Sequence, residues 1–131
     1  MAHRILVIDD EKEFTDMLSA SLTRVGGYEV RVENDSTKAL SGALEFRPDV
    51  ILLDFVMPGL DGGDVTAKLK GNPDLKDVPI ILVSALIATG ETTGEQGASS
   101  TGGTTIIAKP VKMNTLTRCI EEALEGREPT H

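Results

Sequence analysis

Four places in this sequence carry side chains that could do chemistry, and each adjoins a short apolar run. Asp9-Asp10-Glu11 follow Ile5–Ile8, Asp54 follows Val50–Leu53, Ser84 follows Ile80–Val83, and Lys109 follows Ile106-Ile107-Ala108. If the runs are neighbouring strands, Asp10 and Asp54 stand side by side and repel each other unless a cation lies between them. Oxygen donors on a partly open edge suit Mg²⁺, which keeps several waters and takes one or two carboxylates. A divalent cation, an ammonium and a hydroxyl together form a set that neutralises a transferring phosphoryl group. A carboxylate can itself be the nucleophile, holding that group as an acyl phosphate. Each residue alone has a plainer reading. Asp9-Asp10-Glu11 would suit a helix N-terminus, Asp54 could cap the turn at Met57-Pro58-Gly59, Ser84 could bond to backbone, and Lys109 could be a solvated lysine. Their joint placement after consecutive apolar runs favours the chemical reading.

Such a site needs a particular scaffold. Arg4–Ile8, Tyr28–Val32, Val50–Leu53, Ile80–Val83 and Thr105–Ala108 read as strands, and three of these are apolar on both faces, as in a parallel sheet covered on both sides. Between them the apolar period becomes helical. Phe14, Met17, Leu18, Leu22 and Val25 form one stripe, stopped by Gly26-Gly27. Ala39, Leu40, Ala43 and Leu44 form a second, with Ser36 as its expected cap and Pro48 beyond its end. Val65, Ala67 and Leu69 suggest a shorter helix before Gly71-Asn72-Pro73. Leu116, Cys119, Ile120, Ala123 and Leu124 make the last stripe, with Asn114 as its expected cap. Strand and helix in alternation give a doubly wound α/β sheet of five parallel strands, with right-handed crossovers and helices on both faces. Ligands of such sheets bind outside the carboxyl ends of the strands, where the four chemical positions fall.

Composition sets the outer bounds. A chain of 131 residues suits one domain. Its formal charge of −8 argues against direct nucleic-acid binding, which needs a basic face. No apolar run approaches the ~20 residues of a membrane span, and the start lacks the pattern of a signal peptide, so a cytoplasmic protein is expected. Cys119 lies on an apolar stripe and reads as core filler, while His3 and His131 stand apart from any ligand set. One stretch breaks the alternation: of the 18 residues from Ala88 to Thr105, 13 are Gly, Ser or Thr. The fourth helix that topology calls for would have almost no apolar face there, so a short frayed helix or a loop is expected. The stretch lacks the order of a P-loop and the Rossmann fingerprint.

At Asp9-Asp10, Asp54-Phe55-Val56-Met57-Pro58-Gly59, Ser84-Ala85 and Lys109-Pro110, taken in order, the chain resembles the response-regulator receiver domain of two-component signalling. The resemblance runs over essentially the whole chain, with a receiver domain at 1–126 and a polar tail at 127–131. It implies a flavodoxin-like sheet in the order 2-1-3-4-5. It also implies that Asp54 is the phosphoacceptor and that Mg²⁺ is bound directly by Asp10, Asp54 and the backbone carbonyl of Val56, and through water by Asp9. Lys109 would pair with phosphoryl oxygens, Ser84 would swing in to bond another, and a cis peptide before Pro110 would aim Lys109. The implied donor is a histidine kinase or a histidine phosphotransfer protein. The implied recipient of the signal is an output protein or an attached output domain. No membrane contact is implied, and a homodimer could use the face of helix four, strand five and helix five.

Two departures bear on output rather than chemistry. Ile106 stands where the family usually carries an aromatic residue, so an aromatic flip cannot report activation. The composition of 88–105 is abnormal for a fourth helix, and ordering of this stretch on phosphorylation is expected. Val56 and Leu86 flank the expected path of an attacking water and cannot hydrogen-bond to it, which points to slow self-dephosphorylation. Two rival classes differ from this pattern. An aspartate-nucleophile phosphatase would carry D-x-D after the first strand and a cap over the substrate. A pseudo-receiver would act as a phosphorylation-independent docking module, which the intact acidic, hydroxyl and lysine positions disfavour.

Overall fold

Alternate residues of a strand point to opposite faces, so a strand apolar at every position must be covered twice. Ile5–Ile8 and Val50–Leu53 are all buried, and they divide as this rule requires. Ile5, Val7, Val50 and Leu52 enter one core with Leu18 and Leu22 of the first helix and Leu116, Cys119, Ile120 and Leu124 of the last. Leu6, Ile8, Ile51 and Leu53 enter the other with Ala39, Ala43, Val65 and Leu69 of the two intervening helices. Fully burying a side chain of this kind contributes roughly 1.5–3 kcal/mol, which makes these two layers the main support of the site.

This architecture is seen in a computed structural model that describes residues 3–54, 62–84, 98–101, 104–108 and 111–125. In chain order the elements are β1 (Arg4–Ile8), α1 (Lys12–Gly26), β2 (Glu29–Glu33), a 3-10 turn (Ser36–Lys38), α2 (Ala39–Phe46), β3 (Val50–Asp54), α3 (Gly62–Lys70), β4 (Ile80–Ser84), β5 (Ala98–Thr101), β6 (Thr104–Ala108) and α4 (Met113–Leu124). The sheet order is β2-β1-β3-β4-β6-β5. Its five parallel strands, β2-β1-β3-β4-β6, reproduce the expected 2-1-3-4-5 arrangement.

The sixth strand corrects one expectation. Part of the stretch read as a frayed helix or a loop, Ala98–Thr101, is a strand paired antiparallel with β6, in the register Ala98↔Ile107 to Thr101↔Thr104. Only Gly102 and Gly103 separate the two strands in sequence, and a Gly-Gly pair is a preferred two-residue hairpin connection. Of the rest of that stretch, 88–97 and 102–103 lie outside the described residues and Thr104-Thr105 begin β6.

Smaller differences have local causes. On α1, Met17 and Val25 are 45% and 68% exposed, because the buried face is narrower than the apolar stripe. The cap before α2 is Asp35 rather than Ser36: its carboxylate accepts from the Thr37 N–H at 3.0 Å and opens the 3-10 turn, while Ser36 is buried. The last helix starts at Met113 with Lys112 at the cap position, so Asn114 lies inside it. Gly26-Gly27 does stop α1. Gly27 adopts φ +67°, and a Cβ on Gly26 would collide with the Tyr28 ring. No described helix is long and apolar enough to cross a membrane.

Candidate acidic site at the carboxyl edge of the sheet

β1 and β3 lie side by side with Ile8 opposite Leu53, so the next residue of each, Asp9 and Asp54, emerges at the same level of the sheet edge. Both are buried, 1% and 5% exposed. The Asp9 N–H donates to the Glu33 carbonyl at 3.1 Å, which extends the β1–β2 ladder by one residue and fixes where the Asp9 side chain leaves the sheet. One Asp9 carboxylate oxygen, Oδ1, then accepts from the Glu11 N–H at 2.9 Å. This contact folds the chain into a tight turn before α1.

Glu11 occupies the cap position of α1, with extended backbone (φ −85°, ψ 100°), yet its side chain caps no helical N–H. Its carboxylate joins the other two instead: one oxygen each from Asp9, Glu11 and Asp54 lie within 4.8 Å of one another. Asp9 and Asp54 form the buried floor of the group, and exposed Glu11 forms its solvent side. Asp10 is exposed and is not one of these three.

Carboxylates held this close in a partly buried setting repel strongly unless a cation or protons intervene. The donor set is all oxygen, which selects a hard cation over a transition metal that prefers nitrogen or sulfur. Metal–oxygen bonds of ~2.1 Å put donors on opposite sides of one Mg²⁺ about 4 Å apart. Oxygens already within 4.8 Å need only a slight inward adjustment to share the ion. The residues present therefore fit Mg²⁺.

Of the other expected site residues, Ser84 ends β4 and pairs with Ala108 of β6, and its neighbour Val83 pairs with Asp54. Its backbone thus lies one strand across from the acidic group. Val56, Leu86, Lys109 and Pro110 lie outside the described residues. Ile106 is half-buried against the core that holds α2 and α3. Glu11, read in the sequence only as part of the Asp9-Asp10-Glu11 cluster and given no ligand role of its own, is the third member of the group. Its signal was present, as a Glu where a helix cap usually carries Ser, Thr, Asp or Asn, but an acidic residue is also favoured there by the helix dipole.

A cavity of about 210 Å³ lies elsewhere, between Pro79, Ile80 and Ile81 at the start of β4 and Cys119, Glu122 and Ala123 of α4. It sits at the opposite end of β4 from Ser84. Burial, and then the nearby Glu122 carboxylate, push the Cys119 thiol above its ordinary range, in keeping with a core residue rather than a nucleophile.

The family profile of the response regulator receiver domain matches residues 5–121. The chain belongs to this family. The receiver assignment agrees with the relatives it matches. Response regulator PleD of Caulobacter vibrioides is 40% identical over 111 residues, covering 85% of this chain and 24% of PleD. The DNA-binding response regulator MtrA of Mycobacterium tuberculosis is 40% identical over 85 residues, covering 65% of this chain and 36% of MtrA. The chain thus spans about a quarter to a third of the length of these relatives. Among solved structures, the signal receiver domain of a signal transduction histidine kinase from Syntrophus aciditrophicus superposes with a TM-score of 0.77 at 26% identity, covering 99% of this chain and 96% of that one. Chemotaxis protein CheY4 of Vibrio cholerae shares the fold, with a TM-score of 0.79 at 24% identity over 95% of this chain and all of that one. Receiver domains are signalling modules that bind Mg²⁺ through an acidic pocket, and in this one Asp9, Glu11 and Asp54 cluster at the carboxyl edge of the sheet.

Proposed function

We propose that this receiver domain is a phosphorylation-controlled switch in which Asp54 accepts a phosphoryl group from the phosphohistidine of a histidine kinase or phosphotransfer protein. The observation that carries this reading is the position of Asp54, a buried carboxylate at the tip of a central strand, with Asp9 and Glu11 carboxylate oxygens within 4.8 Å. An Asp54 carboxylate oxygen forms the new P–O bond while the P–N bond to imidazole breaks. The electron pair stays on the ring nitrogen and the product is an acyl phosphate. Mg²⁺, when bound, supplies the positive charge that lets a dianionic donor approach an anionic acceptor. Asp10, Asp54 and the Val56 carbonyl would hold it directly and Asp9 through water, with the Glu11 carboxylate of the cluster on its solvent side. Lys109 would pair with the remaining phosphoryl oxygens and Ser84 would donate to one of them. The modification brings about two negative charges to the edge near neutral pH. Drawing Ser84 and Lys109 towards them biases the segments after β4 and β6 between two arrangements.

Reception by an output protein or an attached output domain, in the cytoplasm, completes the proposal. A homodimer on the face of the fifth parallel strand would meet β5, which covers the outer edge of β6. Ile106 in place of the usual aromatic residue is the single feature that favours a docking module independent of phosphorylation. Transfer from a phosphohistidine donor, followed by hydroxylamine treatment, separates the two readings. A phosphorylated species that hydroxylamine removes and Asp54→Asn never forms is the expected result. A folded protein that accepts nothing from phosphohistidine or small phosphodonors would favour the docking module.

A further inference from the structure

The turn that carries the acidic residues has no side-chain cap on the helix that follows it, because Glu11 caps no helical N–H. Besides the Asp9–Glu11 contact within it, the turn is held from outside. Asn34, just beyond β2, donates through Nδ2 to the Asp9 carbonyl at 2.7 Å and to the Thr15 hydroxyl oxygen at 3.0 Å. The Asp9 carbonyl can only accept, so the nitrogen of the amide must face it. Thr15 is fully buried, and its own hydroxyl proton goes to the Lys12 carbonyl at 3.0 Å, which leaves the oxygen free to receive Asn34. One carboxamide therefore spends both hydrogens on the two ends of the same turn, one at Asp9 before Asp10-Glu11 and one at Thr15 in the first part of α1.

We infer that Asn34 is a positioning residue for the metal: it clamps the Asp9–Thr15 turn and thereby sets the spacing of the carboxylates that hold Mg²⁺. The inference rests on the metal reading given above and concerns a residue that would touch neither ion nor phosphoryl group. Two features support an effect on affinity rather than on folding alone. Asn34 is exposed, and the two groups it binds lie on either side of Asp10-Glu11 in the chain. Partners that orient ligands from outside the coordination shell commonly change metal affinity by ~10–100-fold when removed.

The test is Mg²⁺ titration calorimetry on wild type, Asn34→Ala, Asn34→Asp and Asp54→Asn, with melting curves of each metal-free protein. Asn34→Asp keeps the size of the side chain, loses both donated hydrogens and adds a negative charge. Charge alone would tighten Mg²⁺ binding, whereas loss of the clamp loosens it. The expected result is about tenfold weaker binding in both Asn34 variants, with cooperative metal-free melting retained. Asn34→Asp binding Mg²⁺ as tightly as wild type, or more tightly, would overturn the clamp while leaving the metal site in place. Wild type that binds no Mg²⁺, or binds it equally well as Asp54→Asn, would overturn the metal reading and the clamp with it.

Discussion

Asp9 and Asp54 are buried acids whose positions follow from two parallel strands ending at the same level. The same register that hides Ile8 and Leu53 in the core delivers the next residue of each strand to the edge, so the acidic pair comes with the sheet and needs no special loop. Glu11 closes the group on the solvent side. Chemistry at this scale then depends on what surrounds the acceptor. Val56, two residues beyond Asp54, offers no hydrogen bond to an attacking water. Val56→Asn is therefore expected to shorten the lifetime of the phosphorylated protein, read as loss of the phosphoryl group over time after the donor is removed. A longer lifetime in that variant would contradict the assignment of position 56 to the water path.

At the scale of elements, turns and caps decide how faithfully strands present these residues. Asp35 opens the 3-10 turn that leads into α2. The Thr37 hydroxyl first, and then the Thr37 N–H, hold its carboxyl below the ordinary value of 3.8. A carboxylate depressed in the folded state adds stability above its unfolded value and loses it as pH falls through the lower folded value. Asp35→Ala is accordingly expected to melt below wild type near neutral pH, with the gap closing as pH drops past 3.8 and below. A gap that stays constant across that range would assign the effect to something other than the ionised cap. Legibility in the sequence also divides by element. The solid apolar runs of β1, β3 and β4 announced a sheet covered on both faces, and the acids beyond them announced the site. β5 escaped because Ala98–Thr101 has no apolar period of its own and owes its place to pairing with β6. The Gly102-Gly103 connection was the available signal. Glu11 was read with Asp9-Asp10 but given no ligand role of its own, because a helix N-terminus explains an acid equally well. Met17 and Val25 read as core because spacing records which residues share a stripe, not how much of that stripe a neighbour covers.

For the whole molecule, the site and the stability of the fold are thermodynamically linked. A ligand that binds the folded state alone stabilises it in proportion to the logarithm of its concentration, by about 2.7 kcal/mol at a hundred times its dissociation constant. The acidic group joins the turn before α1 to the end of β3, so an ion held there ties together two segments distant in sequence. Mg²⁺ is expected to raise the melting temperature of wild type and to do so far less for Asp54→Asn. An equal rise in both would indicate nonspecific screening of the net charge of −8.

If Asp54 is a Mg²⁺-dependent phosphoryl acceptor, its phosphorylation must need both the ion and the carboxylate. Intact-mass measurement after incubation with a small phosphodonor, with and without Mg²⁺, tests it most directly in wild type and Asp54→Asn. One phosphoryl adduct is expected in wild type with Mg²⁺, and none when either the ion or the Asp54 carboxylate is removed. An adduct that persists in Asp54→Asn, or its absence from a folded, Mg²⁺-binding wild type, would contradict it.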